Sequence, residues 1–254
     1  MAFSPLLAEN QGFGYGWSPA LTRWDETSKL LVLSTGERYY GHWPDKDDSL
    51  MAFPDNEDGP LMVFPDMKLP ALALRKEKDG DDWLLLYPDG RSERLQREGQ
   101  YHVPRTLFSP EGRAVHFTWQ TFNSVPALTS VYESLPGQAE RVLLRVQYFS
   151  TGTTLTLQPE TAQAVCLRLD QASDNVPDEV RHLILETPAA DSNWQEEAKW
   201  TFRYCLSPEG LLLVEKVDLP TGGTETVIYH DREGQKQALL LPGGAPLRVM
   251  PAVV

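Results

Sequence analysis

The sequence predicts an all-β fold: a large curved antiparallel meander of hairpins with little helix. Three observations predict it. Strand-like apolar runs recur along the chain and are bounded by Pro, Gly, Asn or Asp. Several of these runs alternate with a period of two. Turns of the form x-Pro-x-Gly join them again and again.

The first element is Gly12-Phe13-Gly14-Tyr15-Gly16-Trp17-Ser18, where glycine alternates with aromatics. It reads as a glycine-relieved strand, with Gly12, Gly14 and Gly16 placed where another backbone passes closely. A bend through Trp24-Asp25-Glu26-Thr27-Ser28 follows. Leu31-Val32-Leu33 then breaks at Ser34-Thr35-Gly36 and restarts on Tyr39-Tyr40, a hairpin with Gly36 at its turn. Trp17 and Trp24 are expected as packing anchors.

Further along, Trp83-Leu84-Leu85-Leu86-Tyr87 enters Pro88-Asp89-Gly90, where Pro presets φ and Gly accepts a positive φ. Thr106-Leu107-Phe108 enters Ser109-Pro110-Glu111-Gly112. Phe202-Arg203-Tyr204-Cys205-Leu206 enters Ser207-Pro208-Glu209-Gly210, and Leu219-Pro220-Thr221-Gly222 is a looser copy. The spacing is too irregular for a propeller or solenoid of fixed period. Arg141–Tyr148 and Thr153–Gln158 alternate, as half-buried strands with one polar face do. The one segment with helix composition is 192–199, readable as a short helical turn or as a loop into Trp200. Loops are expected at 44–60 and 170–180. Nothing has linker composition long enough to separate independent domains, so 1–254 reads as a single all-β domain.

Composition narrows the function. The 36 acidic against 23 basic residues give a formal charge of −13, which disfavours nucleic acid and anionic membrane surfaces. No stretch approaches the roughly 18 apolar residues of a membrane-spanning helix. The N-terminus lacks the basic and apolar regions of a signal peptide. Only Cys166 and Cys205 are present, without metal spacing, and both are expected on strands as mostly buried free thiols, with one cross-strand disulfide as the alternative.

No catalytic constellation stands out. Gly12 to Gly16 lacks the Gly-Lys-Ser/Thr ending of a phosphate loop. The acidic clusters at 45–48, 55–58 and 79–82 miss the alternation of a calcium loop. His42, His102, His116, His182 and His230 fall in separate elements. No catalytic residue, metal or cofactor is therefore assigned, although a dispersed site needs no sequence adjacency. Trp24, Trp43, Trp83, Trp119 and Trp200 leave room for a second class of reading, a carbohydrate- or protein-binding β module using surface aromatics.

Gly-x-Gly-x-Gly-Trp, the Thr-Gly-Glu hairpin after Leu31 to Ser34, and Pro220-Thr221-Gly222-Gly223-Thr224-Glu225-Thr226-Val227-Ile228-Tyr229 resemble the region leading into the repeats of RHS/YD-repeat proteins. The tail from Leu241 to Pro251 is similar to the link before those repeats. The resemblance implies a section of a hollow β-strand shell, as in Tc-toxin-like and polymorphic toxin proteins, where the shell encloses a toxin domain. It implies a non-enzymatic bacterial wall segment with the rest of a shell or a toxin domain as partner. Export would follow a specialised system, from the cytoplasm. Exposed sheet edges would favour self-association. Two departures limit it. No Tyr-Asp-x-x-Gly-Arg series is present, and His230-Asp231-Arg232-Glu233-Gly234 is one distorted echo. The Asp-Pro-x-Gly-Leu cleavage motif is missing too, so neither autoproteolysis nor a toxin carries over.

Overall fold

The computed structural model describes residues 1–4, 10–43, 61–67, 72–77, 80–122, 125–135, 139–172, 179–190, 193–207, 210–227, 229–230 and 252–253. Among them there is no helix. A short pair, β1 (Ala2–Phe3) and β2 (Trp17–Ser18), opens the chain. The main sheet follows, beginning with β3 (Arg23–Asp25), β4 (Leu30–Val32), β5 (Arg38–Tyr40), β6 (Leu61–Met62), β7 (Ala73–Lys76), β8 (Trp83–Leu86), β9 (Ser92–Glu98) and β10 (Tyr101–Phe108). It continues through β11 (Ala114–Phe122), β12 (Val125–Glu133), β13 (Arg141–Phe149), β14 (Gly152–Leu157) and β15 (Val165–Ala172). Its last strands are β16 (Glu179–Pro188), β17 (Trp194–Leu206), β18 (Leu212–Asp218) and β19 (Thr224–Thr226). A second short pair joins β20 (Tyr229–His230) to β21 (Ala252–Val253).

The main sheet holds 17 strands, and every pairing in it is antiparallel between strands that follow each other in the chain, with one exception. The exception is β10 with β3, through His102 and Trp24. It curls the first eight strands back on themselves, with β5 and β6 joined by the pair His42–Val63. The sheet as a whole is not closed into a barrel: β19 pairs with β18 alone among the described strands. Strand β10 is the fork. Its first half meets β3, its second half meets β11, and its register with β9 shifts between Pro104 and Thr106. Pro104 carries no N–H to donate, which suits an irregular position, and its carbonyl accepts the Trp119 indole N–H at 2.7 Å.

Local chemistry explains the hairpins. Five turns share one geometry, at Leu33–Glu37, Tyr87–Arg91, Ser109–Arg113, Ser207–Leu211 and Leu219–Gly223. In each, the first N–H donates to the fifth carbonyl and the glycine N–H donates to the first carbonyl, at 2.8–3.1 Å. Gly36, Gly90, Gly112, Gly210 and Gly222 all hold φ between 79° and 90°. Three residues lie between the bonded pair and the third is a left-handed glycine, the pattern of a three-residue hairpin loop. Between β3 and β4, the Asp25 carboxylate caps the bend by accepting the N–H groups of Thr27 and Ser28.

Three expectations need correction. The Gly12–Gly16 run is not a strand: its three glycines all have positive φ, which extended backbone does not allow, and pairing begins only at Trp17. The helical turn at 192–199 is strand β17 from Trp194 onward, paired to β16 from Pro188 to His182. The loop regions 44–60 and 173–178 lie outside the described residues, as do the acidic runs at 45–48 and 55–58 and the tail 231–251. Of the loop expected at 170–180, residues 170–172 belong to β15 and 179–180 to β16.

Candidate functional site

The apolar face of the broad sheet is covered by the chain's own N-terminal segment. Phe13 and Trp17 pack with Phe117, Leu128, Val146, Leu155, Leu169 and Val180 in one core. Removing either ring would cost about 3–5 kcal/mol. Asn10 shapes the segment: its side-chain oxygen accepts the N–H of Gly12 at 2.8 Å and of Gly14 at 3.1 Å. The Gly12 carbonyl accepts the Thr153 hydroxyl of β14. Trp17 Nε1 donates to Tyr204 Oη at 3.0 Å, and that hydroxyl donates to the Val180 carbonyl at 2.8 Å. Burial pushes the Tyr204 phenol upward, so it stays a neutral donor.

The glycines make this docking possible. A Cβ on Gly12 would enter the Tyr148 ring, and one on Gly16 would come within 2.5 Å of the Phe3 ring. The close neighbours at these two positions are therefore aromatic side chains, where the sequence suggested backbone. Tyr148 is itself fixed, donating to the Leu128 carbonyl at 2.6 Å and meeting Phe13 edge-on at 5.6 Å. Gly12, Gly14, Gly16 and Trp17 thus come together. Trp24 and Gly36 do not join them.

Trp24 anchors the second core, inside the N-terminal curl, with Leu31, Met62, Leu74, Trp83, Leu85 and Leu95. Its ring lies 5.3 Å from that of Trp83. Gly36 sits in the β4–β5 turn with open space around it. His102, 1% exposed, stands at the β3–β10 seam edge-on to Trp83, with Nε2 3.9 Å from Glu26 Oε2. Burial pulls its pKa below the usual histidine value, and Glu26 opposes that pull. Sequence reasoning missed Tyr148, Thr153 and Tyr204. Alternation put Tyr148 with Val142, Leu144 and Val146 and Thr153 with the leucines of its strand, but nothing local says what they or Tyr204 face.

The opposite, polar face of β13 to β17 carries a hollow of about 650 Å³. Thr154, Thr156, Arg168 and Glu186 line its floor, and Trp194 and Phe149 are exposed at its margin. Arg168 lies 3.4 Å from both Glu186 and Asp170. Cys166 is also there, free and buried. Its thiol is pushed up to about 11, first by burial and then by Glu186, so it is no nucleophile at neutral pH. Cys205 is free and partly buried on β17. Among the described residues, no group of three or more His, Cys, Asp or Glu could hold a metal ion.

No protein-family model matches the chain. No curated protein matches it either. Among solved structures, a similar chain is found in the crystal structure of TcdB2-TccC3, at 13% identity and a TM-score of 0.42. The match covers 91% of this chain and 15% of that one. So distant a likeness assigns no role to any residue.

Proposed function

We propose that this chain is a non-enzymatic wall segment of an RHS-type β-shell, contributing to the encapsulation or delivery of a toxin domain. The sequence resemblance supplies the class. The observation that carries the reading is the form of the sheet: hairpin follows hairpin, the apolar face is sealed by the chain's own first residues, and the last strand, β19, is paired on one side among the described strands. Strand β19 is exposed and pairs on one side among the described strands. Residues Trp194 to Trp200 of β17 pair with β16, while β18 pairs only from Thr201 onward. Such edges are templates for a further strand. A wall that continues into a neighbouring chain, or into more of its own shell, needs them.

Sedimentation velocity across a hundredfold range of concentration, combined with hydrogen exchange, tests this reading. Association should rise with concentration, and the amides of 194–200 and 224–226 should slow their exchange as it does. A monomer at every concentration, with those amides already protected, would refute the open wall.

A further inference from the structure

The polar hollow plays no role in the wall reading and stands independently of it. Its floor is built from alternate positions of neighbouring strands. The register pairs Thr156 with Cys166 and Thr154 with Arg168, so their side chains share one face, and Glu186 lies opposite Cys166 on the next strand. From Cys166 to Asp170 this floor runs for about 13 Å at the usual rise of a strand. A ligand of more than one ring fits that length.

The charges select the ligand. Arg168 is flanked by the carboxylates of Glu186 and Asp170, leaving the three groups with a net negative charge and disfavouring an anion. Both contacts, at 3.4 Å, are long beside the roughly 2.7–2.9 Å of a strong charge-assisted bond. Arg168 Nε is buried and faces Asp170 at 3.4 Å without a well-formed hydrogen bond among the described residues. Glu186 is 8% exposed, at the foot of an otherwise open hollow. The hydroxyls of Thr154 and Thr156 and the Arg168 side chain, 40% exposed, line the hollow and suit something neutral and rich in hydroxyls. Trp194 opens β17 opposite Pro188, and Phe149 lies across from Gly152 near Asp170, so the two rings flank different ends of the floor. Rings so placed cannot cage one small organic cation. They can bracket an extended ligand and take the apolar face of a sugar ring.

We propose that this hollow binds a neutral oligosaccharide, stacked on Trp194 and hydrogen-bonded by Thr154, Thr156, Arg168 and Glu186. The labelled full chain is applied to a glycan array, and the strongest neutral hit is titrated by calorimetry. Saturable binding is expected, weakened at least tenfold by Trp194→Ala. Thr154→Arg, which fills the floor from the other side, should abolish it even if Trp194→Ala fails to fold. Trp43→Ala, at an exposed tryptophan that does not line the hollow, should leave it unchanged. An array without hits, binding confined to anionic glycans, or binding that survives both Trp194→Ala and Thr154→Arg would overturn the proposal.

Discussion

Replacing Gly12 by alanine tests whether the N-terminal segment is packed against the sheet or merely laid on it. Two costs add at this position. An L-residue held at φ +90° loses about 1–2 kcal/mol of backbone energy. The new methyl also occupies space taken by the Tyr148 ring, and overpacking of this kind costs about 1–3 kcal/mol. Gly36→Ala is the internal control. It has the same φ of +90° but nothing within 4 Å of the added carbon, so only the backbone cost applies. Urea unfolding should therefore show Gly12→Ala losing about 2–5 kcal/mol and Gly36→Ala about 1–2. Against a total of about 5–15 kcal/mol, the first loss is large. A double-mutant cycle with Tyr148→Leu should return most of the steric cost as coupling. Equal losses at the two glycines, or no coupling to Tyr148, would refute the packed arrangement.

The seam should be sensitive to acid. Neutral His102 is favoured in the folded chain, while the unfolded chain takes up its proton from about pH 6.5 downward, so stability falls as pH drops below that value. The slope is about 1.4 kcal/mol per pH unit until the folded histidine titrates too. His182, lowered by burial, adds in the same sense, so His102→Gln should flatten the profile between pH 6.5 and 5 without abolishing it. An unchanged profile would count against the seam. Tyr204→Phe removes the acceptor of Trp17 Nε1 and should cost about 1–3 kcal/mol in the same unfolding assay; a silent substitution would mean the indole finds another partner. With its thiol near 11, Cys166 should resist iodoacetamide at pH 8 in the native chain and label fully in urea, as read by mass spectrometry. Rapid native labelling would contradict its burial.

What the sequence made legible was local. A five-residue turn such as Ser109–Arg113 carries its whole instruction in Pro110 and Gly112, so the hairpins could be read one by one. The alternation of Arg141 to Tyr148 likewise anticipated the exposed Arg141, Arg145 and Gln147 and the buried Val146. The Gly12–Gly16 run misled because glycine at every second position imitates the period of a strand, whereas the positive φ values bend it away from one. Residues 195–199 misled through composition. Gln, Glu, Glu, Ala and Lys favour helix intrinsically, but the partner strand β16 overrides so weak a preference. The β3–β10 seam and the polar hollow were illegible for a different reason. Each depends on side chains from strands far apart in the sequence, brought together only by the assembled sheet.

The covering of the sheet by its first residues has a consequence for how the chain is made. Trp17 is bonded to Tyr204 across 187 positions, and Gly12 to Thr153 across 141. At roughly 5–20 residues per second on the ribosome, the indole waits on the order of 10–40 s for its acceptor. The hairpins close locally during that interval, while Phe13 and Trp17 still lack part of the surface that buries them. The Gly12 end can dock once β14 is out, and the Trp17 end only after β17. Nascent chains paused between those two points should therefore be where this protein most needs a chaperone.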